Sequence, residues 1–134
     1  MDRMIFVNLP VEDVQASRAF YTGLGFSVNE MFSDDRTACI VVSDTIFVMV
    51  LEHERFADFV TTPIADARAS TQVLNALSCS SRAEVDDLAD RALANGGSQY
   101  RPTMDENGMY QRAVADPDGH VWELMYMDMA AAGA

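Results

Sequence analysis

A chain of 134 residues is about one average domain, long enough to bury a core without disulfides or a structural metal. Its formal charge of −12 argues against nucleic acid or an anionic membrane as a partner, since both need positive charge. Composition is ordinary for a globular protein at 49% hydrophobic and 22% charged, but 9 Met are many, and Met lines adaptable cavities as well as filling cores.

No apolar run approaches the ~20 residues that a membrane-spanning helix needs. The N-terminus lacks the basic, apolar, small-residue order of an export signal, so a cytoplasmic protein is expected. Cys39 and Cys79 fall in apolar, strand-like runs and read as two buried thiols in a reducing compartment.

Ile5 to Leu9 is a short apolar run closed by Pro10 and reads as a strand. Glu12-Asp13 then precedes an amphipathic stretch with Val14, Phe20 and Leu24 near helical spacing, and Gly23 and Gly25 bracket its stop. Three strand-like runs follow, at Phe26 to Phe32, Thr37 to Val42 and Thr45 to Leu51, with turns at Ser33-Asp34-Asp35 and Ser43-Asp44. After a mixed segment the order repeats. Val73 to Ser78 is apolar, Ser80-Ser81 offers an N-cap, and Val85, Leu88 and Ala92 keep helical spacing up to Asn95-Gly96-Gly97. Strands are expected at Ser98 to Arg101, Met109 to Ala115 and His120 to Met127, separated by the turns 105–108 and 116–119. Asp86-Asp87 reads as a solvated helix face, and the tail from Ala130 to Ala134 as frayed.

The chain therefore reads as an α+β protein of two βαβββ modules, about 4–52 and 72–128, joined by 53–71 within one domain. No Gly-rich phosphate loop or nucleophile elbow occurs, and neither cysteine has a neighbour to activate it.

Two motifs carry a resemblance. Val11-Glu12-Asp13-Val14-Gln15-Ala16-Ser17-Arg18-Ala19-Phe20-Tyr21 with Leu24-Gly25-Phe26, and Asp116-Pro117-Asp118-Gly119-His120-Val121-Trp122-Glu123-Leu124, are similar to the opening and closing motifs of the glyoxalase/bleomycin-resistance/dioxygenase (vicinal-oxygen-chelate) superfamily. The resemblance implies two modules whose curved mixed sheets enclose a cup-shaped cavity, a homodimer, and a divalent metal held by His, Gln or Glu from the first and last strands of each module. Carried onto this chain, those positions are Phe6, Met49, Leu74 and Glu123. Phe and Leu cannot ligate, and a thioether suits the usual metals poorly, so no metal and no other cofactor is expected. His53 and His120 read as ordinary turn or surface histidines.

Glu123, with Val121 and Met125 on its own face, is the candidate catalytic base or acceptor. Its alternative is an idle acid satisfied by Arg112, which could equally clamp an anionic ligand. Phe6, Asn8, Phe47, Met49, Leu74, Tyr110, Arg112 and Met125 are the expected ligand-binding residues, while Trp122, Leu124 and Tyr126 alternate with Glu123 and should pack under a helix. The expected function is metal-independent binding of a small molecule in an apolar cavity. The alternatives are a divergent metal-dependent lyase, isomerase or dioxygenase using Glu123, and an interaction protein whose cavity is filled.

Overall fold

The computed structural model describes residues 1–128 and Ala130; the tail beyond Ala130 lies outside the described residues. The chain divides into two compact units, Met1–Asp66 and Ala67–Ala134. Each carries one β-α-β-β-β module built on a mixed sheet.

In the first unit, β1 (Ile5–Val11) leads into α1 (Val14–Gly23). Asp13 sets the start of that helix, because its carboxylate accepts the Gln15 N–H at 2.9 Å and the Ala16 N–H at 3.4 Å. Then come β2 (Ser27–Asn29), β3 (Thr37–Val41) and β4 (Ile46–Glu52). The sheet order is β1-β4-β3-β2, with β1 parallel to β4 and the other pairs antiparallel. Strand alternation gives the sheet two unlike faces. Leu9, Val11, Ala38, Ile40, Val48 and Val50 are buried on the side where α1 brings Val14, Phe20, Tyr21 and Leu24. Phe6, Asn8, Phe47 and Met49 share the other face.

The strand expected over Phe26 to Phe32 is cut short. Residues 30–32 form a 3₁₀ turn, because the Asn29 carboxamide accepts the Met31 N–H at 3.1 Å and caps it. After β4 the chain forms α2 (His53–Phe56) and a 3₁₀ turn at Ala57–Phe59, in a segment read from sequence as a mixed connection.

The second unit contains β5 (Leu74–Ser78), α3 (Arg82–Ala94), β6 (Ser98–Gln99), β7 (Met104–Glu106), β8 (Met109–Ala115) and β9 (Val121–Met127). Ser81 caps α3 by accepting the Glu84 N–H at 3.1 Å, and Glu84 reaches back to the Ser80 N–H at 2.9 Å. The sheet order is β5-β9-β8-β6, and β7 also pairs with β8. That extra strand replaces half of the turn expected at 105–108. Asn107 and Gly108 alone make the bend, with φ of 54° and 79°, so the flanking residues stay paired. Val85, Ala89 and Ala92 of α3 are buried, as are Val114, Trp122 and Leu124 of the sheet, with Trp122 and Leu124 on the helix side as their alternation requires.

The turn before β9 is held by Asp116, whose carboxylate accepts the N–H groups of Asp118 at 3.0 Å and His120 at 2.9 Å. Gly119 sits there with φ of +94°, and a Cβ on it would meet the Ala67 carbonyl and the Arg68 nitrogen at 2.9 Å.

Candidate functional site

The two modules repeat not only in element order but in strand register. Phe6 faces Phe47 across β1 and β4, and Met49 lies two residues further along the same face. Leu74 faces Val121 across β5 and β9, and Glu123 again lies two residues further on. Phe6 and Leu74 are thus equivalent, as are Met49 and Glu123.

In the first unit the open face carries a hollow of about 360 Å³. Asn8, Thr37, Met49 and Leu51 form its floor; Met31 and Phe32 stand on one side, Arg55 and Phe59 on the other. Met31 is 89% exposed, and Phe32 and Phe59 are each 64% exposed. Their positions are fixed locally. The Ser33 hydroxyl donates to the Asn29 carbonyl at 2.7 Å and accepts the Cys39 N–H at 3.0 Å, which sets the wall that presents Met31 and Phe32. Arg55 bonds Asp58 at 2.8 Å and lies over the Phe59 ring, 4.5 Å from its centroid. Asn8 donates its side-chain N–H to the Phe6 carbonyl at 3.1 Å.

Of the expected ligand-binding residues, Asn8 and Met49 line this hollow. Phe6 and Phe47 share the face and stack on one another, with centroids 4.8 Å apart and planes 11° from parallel. Met31, Phe32, Arg55 and Phe59 were missed by sequence reasoning. The helical spacing of Arg55 and Phe59 was their only signal, in a segment read as a connection.

In the second unit Glu123 shares its face with Leu74, Ala76, Ala113, Val121 and Met125. Leu74, on the terminal strand, is half exposed, whereas Gln111, Ala113 and Val121 of the same face are buried. The Glu123 carboxylate is bonded by the Arg101 guanidinium at 2.7 Å, and the same nitrogen also donates to the Gln111 side-chain oxygen.

Three expectations do not hold: Arg112 as the partner of Glu123, Tyr110 and Arg112 as ligand-facing residues, and Cys79 as a buried thiol. Arg112 does not satisfy Glu123, because register places Ala113 opposite Glu123 and Arg112 opposite Leu124, on the helix side. There Arg112 bonds Asp86 at 3.1 Å and Asp90 at 3.0 Å, and the Tyr110 hydroxyl donates to Asp86 at 2.6 Å. Tyr110 and Arg112 therefore belong to the anchorage of α3 and not to the Glu123 face, and Asp86, its side chain 46% exposed, is bonded as well as solvated. Cys39 is buried, but Cys79 is only partly so. Burial first, and then the neighbouring Glu84 carboxylate, push its thiol up to about 11, which leaves it protonated and unreactive near neutrality.

Comparison with known proteins adds to this geometry. Residues 3–43 match the family described as bleomycin resistance protein-like N-terminal. A glyoxalase-related enzyme from Fulvimarina pelagi superposes with a TM-score of 0.79 at 23% identity, covering 94% of this chain and 88% of that one. The chain carries the glyoxalase/bleomycin-resistance/dioxygenase fold.

A hypothetical protein from S. aureus also superposes on this glyoxalase/bleomycin-resistance/dioxygenase-fold chain, with a TM-score of 0.78 at 24% identity and 94% coverage of both chains. The bleomycin resistance determinant encoded on transposon Tn5 gives a TM-score of 0.61 at 20% identity, covering 95% of this chain and 99% of that one. Comparison with the curated proteins returned no match.

The divalent metal implied by the resemblance does not fit the residues present. Phe6 and Leu74 have no donor atom, Met49 offers only a thioether, and Glu123 is engaged by a guanidinium. Among the described residues no group of three or more His, Cys, Asp or Glu side chains could hold a metal ion. No described helix is long and apolar enough to cross a membrane.

Proposed function

We propose that this chain is a metal-independent small-molecule binding protein that takes a flat or apolar ligand into the hollow of its first module. One observation carries the reading: Met31, Phe32 and Phe59 stay exposed around a hollow of about 360 Å³, where a filled site would bury them. The donor set supports it from the other side, since none of the four positions that would hold a metal offers a free hard ligand. A bleomycin resistance determinant among the solved structures of this fold is consistent with binding as the activity. Glu123 enters as an ion-paired carboxylate, not as a general base. A cytoplasmic setting and a homodimer complete the proposal.

The test uses a fluorescent apolar probe, anilinonaphthalene sulfonate, on chelator-treated protein. The expected result is saturable binding that added nickel or manganese leaves unchanged and that Phe59→Ala weakens by about 1 kcal/mol, roughly the share of a part-exposed ring. Elemental analysis should find no stoichiometric metal in the purified protein. One metal per chain, or probe binding indifferent to both Phe59→Ala and Met31→Ala, would overturn the reading.

A further inference from the structure

Arg101 and Glu123 bear on a question separate from the hollow. Glu123 is the one metal-position residue that kept a ligand-type side chain, and its carboxylate is only 14% exposed. Beside it stands a guanidinium, itself 26% exposed, whose nitrogen lies 2.7 Å from the carboxylate oxygen. Register places Ala76 and Ala113 directly across from Glu123, and neither carries a donor that would compete for it.

The guanidinium is held in place from both ends. Its nitrogen is shared with the side-chain oxygen of Gln111, which is buried. Its backbone is fixed as well: Tyr100 donates its N–H to the Ala113 carbonyl at 2.9 Å, and the Gln99 carboxamide donates to the Arg101 carbonyl at 3.1 Å. A fixed monovalent cation beside a carboxylate satisfies its charge and repels a second cation approaching the same oxygens.

We infer that Arg101 is a built-in cation that takes the place of a metal at Glu123 and closes this carboxylate to divalent ions. The second module thus excludes metal by a positive device, over and above the donors it lacks. This goes beyond the binding proposal and does not depend on the hollow. Arg101 is a positioning residue here, acting through Glu123.

The inference separates from a mere shortage of donors by supplying one. Leu74 lies on the Glu123 face, diagonal to it across β5 and β9, so Leu74→His adds an imidazole to the same patch within one module. Nickel is the probe, because it favours imidazole and carboxylate together. Titration calorimetry is run on the parent, on Leu74→His alone, and on Leu74→His combined with Arg101→Gln or Arg101→Lys. The parent and Leu74→His should show no measurable binding. Adding Arg101→Gln should open the site, tightening nickel by about tenfold or more, and Glu123→Gln on that background should abolish it. Arg101→Lys, which keeps the charge, should leave the site closed. Arg101→Met carries the same expectation as Gln if Gln unfolds the protein, with thermal melts reporting the fold of each variant. Nickel binding to Leu74→His as tight as to the Arg101→Gln combination would overturn the inference. So would a folded combination that still binds none, since missing donors alone would then account for the site.

Discussion

Ser17 is buried in α1, and its hydroxyl has no hydrogen-bond partner among the described residues. A buried hydroxyl without a partner costs more than an apolar group of similar size, and Ala is also the better helix former. Ser17→Ala is therefore expected to raise stability by about 1 kcal/mol, measured as a higher urea midpoint at unchanged slope; an unchanged or lower midpoint would contradict it. At this scale sequence reasoning reached some of the site and missed the rest for a definite reason. Alternation alone placed Trp122 and Leu124 under a helix and Glu123 on the opposite face, and both placements hold. Naming the partner of Glu123 needed the register between β8 and β9, and a slip of one residue exchanges Ala113 for Arg112 and inverts the face. Arg101 could not be found that way, because it comes from the segment after β6 and its link to Glu123 is purely spatial.

Among the elements, β7 and β8 are tied to α3 by a ladder of charge. Arg82 grips Asp105 with two bonds of 2.8 Å and lies over the Tyr110 ring, while Tyr110 and Arg112 both bond Asp86. The Tyr110 hydroxyl first, and then Arg112, hold the Asp86 carboxyl below its ordinary value of 3.8; Arg82 does the same for Asp105. A carboxyl depressed in the folded state contributes stability that is fully present above its unfolded value and lost as pH falls through the folded one. The ladder should therefore hold at neutral pH and release as pH drops below 3.8, the ordinary aspartate value. Its two carboxylates are about half exposed, so the loss in global stability is small. Hydrogen exchange is the sharper measure: relative to the intrinsic rate at each pH, amides of β7 should lose protection on acidification, and Arg82→Gln should bring that loss of protection to neutral pH. Amides equally protected at pH 3 and pH 7 would refute it. The element order of both modules was legible because helix and strand periods differ and each pattern occurs twice. The strand β7 was not, since Asp105 and Glu106 read as turn residues until the Asn107-Gly108 bend is seen to need only two positions.

For the molecule as a whole, β1 ends one sheet and β5 ends the other, and both bear apolar residues in the open: Ile5, Phe6 and Leu74, with Val73 just before β5. Apolar terminal strands of this kind are commonly covered by a second copy. Sedimentation equilibrium at micromolar concentration is expected to return about twice the chain mass of 14.8 kDa, and a value at 14.8 kDa throughout would argue for a monomer. The matched register of the two modules has a consequence for how such a chain could arise. Equal offsets between first and last strands, Phe6 to Met49 and Leu74 to Glu123, are what duplication of one ancestral half would leave behind. Once doubled, each copy must keep the face that packs on its helix, whereas the opposite face is free to drift. At these equivalent positions the first module carries no hard donor, and the second carries a carboxylate paired with a guanidinium. A donor can then be introduced in one half at a time, at Phe6 or at Leu74, and compared with the unaltered position in the other half.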